Sequence, residues 1–115
     1  MYTVIRKYNL IQGTKEELIR HVQESLVPLL NHVPGFRAYL LVDAGENEVA
    51  IVSTFDTLAD AKAAAPLTKK WVAEYAESFI QGSSKIAAGQ VKVQQYQKMI
   101  ANTQSNPFIG QADWV

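Results

Sequence analysis

The sequence predicts an α+β fold: one four-stranded antiparallel sheet carrying two helices on a single face. Three observations lead there. Short runs rich in Val, Ile, Leu and Tyr, which suit a pleated surface, lie at residues 2–11, 37–42 and 49–52, and a fourth apolar stretch lies within 85–96. Apolar side chains recur at helical spacing from Leu18 to Val33 and again from Leu67 to Phe79. The resulting order is strand, helix, strand, strand, helix, strand, and two right-handed crossovers then put both helices on the same side of the sheet.

Tyr2 to Ile11 forms the first strand, with Tyr2, Val4, Tyr8 and Leu10 on one face, and Gln12-Gly13 ends it. Thr14 followed by Glu17 reads as a capping box that opens the first helix. Leu18, Val22, Leu26, Leu29, Leu30 and Val33 give that helix its apolar stripe. Pro28 removes a backbone donor inside it, so a kink or restart is expected there. Residues 37–42 and 49–52 then form a hairpin around Asp43-Ala44-Gly45-Glu46-Asn47. Asp56 or Thr57 caps the second helix. Pro66 is expected to interrupt it, after which Leu67, Trp71, Tyr75 and Phe79 step by four towards a Gly82 cap. Lys85 to Tyr96 forms the last strand, polar enough for a sheet edge. A domain over 1–98 and a tail over 99–115 follow, with Phe108 and Trp114 in the tail pointing to a strap on a partner subunit.

The hairpin is apolar on both faces, with Ala38, Leu40 and Val42 on one and Tyr39 and Leu41 on the other. Two helices on one side leave the other side bare, and such a patch exceeds what soluble monomers usually expose. A homodimer packed sheet to sheet is therefore expected. The order is that of the split β-α-β unit of ferredoxin-like folds.

Composition narrows the function classes. The chain has 115 residues, enough for one domain. Basic and acidic residues number 11 each, so no electrostatic footprint for nucleic acid or anionic lipid is present. Cysteine is absent, which removes thiolate nucleophiles and Cys-ligated zinc. No apolar run reaches the ~18 residues of a membrane span, and a cytoplasmic location is the expectation. No phosphate loop, dinucleotide fingerprint, zinc-hydrolase motif or nucleophile elbow occurs.

A few residues remain as chemical candidates. His21 and His32, the only histidines, lie about 16 Å apart along a straight helix and cannot share a metal. Trp71 and Tyr75 stand one helical turn apart, as core anchors or as the wall of a flat pocket. Arg37 and Tyr39 share a face of the hairpin, and Arg6 and Tyr8 share a face of the first strand. Either Arg suits a phenolate or carboxylate.

The layout, with Val-Pro-Gly-Phe-Arg-Ala-Tyr at 33–39 between helix and hairpin, resembles the dimeric α/β-barrel superfamily and, within it, the antibiotic-biosynthesis-monooxygenase-like group. The resemblance covers about Tyr2 to Gln97. It implies a cofactor-independent monooxygenase that acts on a small aromatic or quinol-type substrate, with Asn9 and Trp71 as the positions matching its substrate-positioning Asn and Trp; Arg37, read from its own chemistry as an oxyanion holder, joins them as the third catalytic candidate. Tyr39, Tyr75 and His32 would bind the substrate. Haem-degrading relatives take their iron ligand from a histidine in the second helical region. This chain has no histidine after His32, so no haem, other cofactor or metal is expected. A non-catalytic small-molecule-binding or structural dimer is the alternative. An isomerase or lyase is a third reading, with His32 as its only neutral-pH base.

Overall fold

A computed structural model describes residues 1–97. The elements are β1 (Tyr2–Leu10), α1 (Lys15–His21), a π-helical turn (Val22–Leu26), α2 (Val27–Leu30), β2 (Phe36–Asp43), β3 (Glu48–Phe55), α3 (Leu58–Trp71), a second π-helical turn (Val72–Ala76) and β4 (Ile80–Gln90). The strands form one antiparallel sheet in the order β2-β3-β1-β4. The ferredoxin-like fold expected from the sequence is present.

Local chemistry explains the boundaries. The Thr14 side chain accepts a hydrogen bond from Glu17 N–H at 3.2 Å, and Thr57 accepts from Asp60 N–H at 3.1 Å. Each satisfies one of the N–H groups left over at a helix start. Gly45 adopts φ +106° in the β2–β3 turn, a conformation that suits glycine. Lys15 ties that turn to α1 through Asp43 and through the Gly45 carbonyl at 2.5 Å.

Both helical arms cover one face of the sheet. Leu18, Val22, Leu26 and Leu30 from the first arm and Trp71 and Ala76 from the second bury themselves against Tyr8, Val49 and Ile80. A second cluster joins Phe55 to Ala61 and Ala64. Each fully buried aliphatic side chain such as Leu26 or Val49 contributes about 1.5–3 kcal/mol. The other face carries an apolar row running Leu40, Val52, Ile5, Ala87 across all four strands. Leu40 is 57% exposed there.

Three sequence expectations change, and one holds. At Pro28 the restart expected from the sequence is present: the first arm passes through the π turn and α2 begins at Val27, with Pro28 in its first turn, where a missing backbone donor is tolerated. Pro66 does not interrupt α3. Pro66 and Lys62, whose carbonyl loses its partner, both face solvent, while Ala61, Ala64 and Trp71 hold the axis from below. The second helical arm ends at Ala76 rather than near Gly82, because Ile80 and Gln81 pair with Leu10 and Asn9 instead. The last strand is accordingly 80–90, not 85–96, and Val91 N–H donates to the Met1 carbonyl just beyond it. The strap expected of the tail lies outside the described residues.

Candidate functional site

The alternation of β1 and β3 sends Val4, Arg6 and Tyr8, and Val49, Ile51, Ser53 and Phe55, towards the helices. These residues form the floor of a cavity of about 440 Å³ between the sheet and the helical arms. Tyr39 and Leu41 of β2 extend it. Small residues of α3, Ala61, Ala64 and Ala65, line the side facing the sheet, which continues through Thr68 to Trp71. Leu18, Val22 and Leu26 close the side belonging to the first arm. The result is a mostly apolar cavity with a few polar groups, the usual make-up of a small-molecule site.

Trp71 is buried, and its indole N–H donates to the Ser25 hydroxyl at 2.8 Å. That bond links the two helical arms where each carries its π turn. Burial pushes the Tyr39 phenol well above its ordinary pKa, with the nearby Tyr8 adding to the effect. The ring is therefore a neutral donor at physiological pH. Irregular pairing with β4 flanks Arg6 and Tyr8 on β1, and such bulges often re-aim side chains beside sites.

The expected site residues separate into two groups. Trp71 and Tyr39 line the cavity together with Arg6 and Tyr8. Asn9, Arg37, Tyr75 and His32 do not. Asn9 follows Tyr8 on β1, so it faces the opposite side of the sheet and is exposed. Arg37 and Tyr39 do not share a face: a bulge between Phe36 and Ala38 makes Arg37 the extra residue of β2 and turns it to Asp56. That ion pair raises the Arg37 pKa further. Tyr75 stacks at an angle on Trp71, 6.1 Å between ring centroids, and is half exposed. His32 is exposed at the end of α2, and His21 packs on Phe79 at 5.5 Å.

Ser25, Ser53, Thr68 and Lys69 were not among the expected residues. Strand alternation from Val49 pointed to Ser53, and helical spacing back from Trp71 pointed to Thr68. Nothing local pointed to Ser25, which meets Trp71 across 46 residues of chain.

The profile of the antibiotic biosynthesis monooxygenase family matches residues 1–74. The chain belongs to the antibiotic biosynthesis monooxygenase family. The matched span holds every residue that lines the cavity except Ile80. Solved structures agree on the fold. A dimeric ferredoxin-like protein from an uncultured marine organism aligns at TM-score 0.66 and 11% identity over 84% of this chain and 98% of its own. The haem degrader MhuD of Mycobacterium tuberculosis, with two haems bound in its active site, aligns at TM-score 0.66 and 18% identity over 84% of this chain and all of its own. A candidate antibiotic biosynthesis monooxygenase of Chloroflexus aurantiacus aligns at TM-score 0.60 and 20% identity over 84% of this chain and 96% of its own. No curated protein matches the chain.

The donor set of the cavity does not fit an iron-ligating site of the histidine type, since neither His21 nor His32 lines it. Among the described residues no group of three or more His, Cys, Asp or Glu could hold a metal ion. No helix among them is long and apolar enough to cross a membrane.

Proposed function

We propose that this chain is a cofactor-independent monooxygenase that oxidises a small, flat, electron-rich aromatic or quinol-type substrate in the cavity beneath α3. The mostly apolar cavity that brings Arg6, Tyr8, Tyr39 and Trp71 together is the observation that supports this reading. The family supports the reaction class.

The chemistry uses the substrate itself as reductant. A substrate ionised at a phenolic or enolic oxygen passes an electron to O₂, and the ring carbon then bonds to oxygen. Loss of water leaves a carbonyl, so that CH₂ plus O₂ gives C=O plus H₂O. Arg6 holds the developing oxyanion, a role that depends on a preorganised donor in a water-poor site. Tyr39, kept protonated by burial, donates to the same region. Trp71 and the alanines of α3 hold the ring flat and exclude water.

One observation favours a second reading, a non-catalytic small-molecule binder. Among the described residues no carboxylate or histidine lines the cavity, so an ionisable substrate must lose its proton before or on entry. The same observation weighs against the isomerase reading, whose base His32 stands outside the cavity.

The test is oxygen uptake with anthrone-, quinol- and catechol-like substrates. Wild type should exceed buffer autoxidation. Arg6→Gln should lower the rate about a hundredfold, the scale of one lost oxyanion donor. Asn9→Ala, on the far face, should match wild type. Binding without uptake would select the binder, and uptake indifferent to Arg6→Gln and Trp71→Phe would end the oxygenase reading.

We propose further that the chain works as a homodimer joined through the Leu40–Val52–Ile5–Ala87 row, which two helices on the other face leave uncovered.

A further inference from the structure

Trp71 lines the cavity, but its indole N–H does not serve it. The donor is spent on the Ser25 hydroxyl, 2.8 Å away, and Ser25 is not a lining residue. The indole therefore meets the cavity as an apolar carbon surface. Packing alone does not choose that orientation. The torsion between Cβ and an aromatic ring has broad, roughly two-fold preferences. A half-turn about it keeps most of the ring's bulk in place and carries the N–H to the opposite edge. A buried indole N–H needs an acceptor, and among the described residues Ser25 is the one it has.

The backbone at both ends of the bond is unusual. Ser25 lies inside the first π turn, Val22–Leu26, and Trp71 immediately precedes the second, Val72–Ala76. Such turns are rare and occur frequently at functional sites. The bond joins the two irregular turns, and among the described residues it is the only side-chain hydrogen bond between the helical arms. Tyr75 packs on the same ring from the exposed side, 6.1 Å between centroids.

We propose that Ser25 is a positioning residue of the site, which acts through Trp71. By holding the N–H outside the cavity it fixes the indole plane against which the substrate ring packs, and it keeps that wall free of a hydrogen-bond donor. This rests on the reading of the cavity as the substrate site. Without the hydroxyl the indole loses its anchor, and its donor is free to turn to the cavity. A substrate oxygen captured there is held in a second, unproductive pose, and misplacement of that kind slows reaction more than it weakens binding.

Indole N–H exchange by NMR and oxygen uptake, both on the full chain, test this. The chain has two tryptophans, so an isotope-labelled sample gives two indole signals, and Trp71→Phe assigns the one from Trp71. Its proton should exchange with water at least about fivefold faster in Ser25→Ala, the scale of one net hydrogen bond, and Ser25→Thr should restore the slow rate. With an anthrone-type substrate, Ser25→Ala should lower kcat about five- to tenfold and change KM less, and Ser25→Thr should recover most of the loss. Ser25→Val, which has the shape of threonine without the hydroxyl, should behave as Ser25→Ala. If the alanine variant does not fold, the threonine–valine pair decides by itself. Unchanged exchange in the variants lacking the hydroxyl means that packing alone fixes the ring, and overturns the proposal. Faster exchange with unchanged kcat also overturns it, reducing the bond to a structural contact and leaving the monooxygenase reading intact. No uptake by wild type ends that reading, and the proposal with it.

Discussion

Trp71 is held by one hydrogen bond to Ser25 and by the packing of both helical arms around it. Ser25→Ala leaves a buried indole N–H without its partner, at a cost of about 1–2 kcal/mol. Urea unfolding of the variant should show that loss. In a Trp114→Phe background, the Trp71 emission should also shift; unchanged emission would mean that packing alone fixes the ring. Tyr39 offers a pH readout. Its phenol is held neutral in the folded chain and ionises freely in the unfolded one. It therefore adds stability below the ordinary phenol pKa of about 10, and that stability drains away as pH rises beyond it. Tyr39→Phe should flatten the alkaline end of the stability profile, and an unaltered profile would contradict the assignment. At this scale the sequence was legible in part. Trp71, Tyr39, Arg6 and Tyr8 could be picked out from type and spacing. Arg37 and Asn9 could not be placed, since one bulge or one step of register moves a strand residue to the other face.

The helices and strands obey their sequence signals except where tertiary packing overrules them. Pro66 shows this most clearly, since its local preference is to break α3 and the helix runs through it. The buried stripe of Ala61, Ala64 and Trp71 outweighs the lost hydrogen bond. Replacing Pro66 with Ala restores a donor to an exposed turn and should stabilise the chain by at least about 1 kcal/mol, or about 4 °C or more in thermal midpoint. A fall in midpoint would show that the proline is accommodated by packing that alanine lacks. The β4 boundary follows the same logic from the opposite side. Phe79 and Ile80 continue the helical spacing, but an unpaired edge of β1 competes for them, and pairing Ile80 with Leu10 also buries it. A helical pattern that runs into a strand partner cannot be resolved without knowing where the partner ends.

For the molecule as a whole, the architecture was the most legible feature, because element order and handedness leave few ways to arrange four strands and two helical arms. The uncovered sheet face follows from that count. Val52→Glu puts a charge into the centre of the Leu40–Val52–Ile5–Ala87 row and should shift wild-type dimers to monomers by light scattering. A wild-type monomer at micromolar concentration would contradict the dimer. The cavity is the second consequence of the same architecture, since it lies where two helical arms with a small-residue seam cannot fill the floor beneath them. Its role is the central claim, and narrowing the mouth tests it. Ala65 lines the cavity yet is exposed, so Ala65→Leu should change stability by no more than about 0.5 kcal/mol. Steady-state oxygen uptake with an anthrone-type substrate should drop at least tenfold in this variant. Uptake equal to wild type would place the chemistry elsewhere.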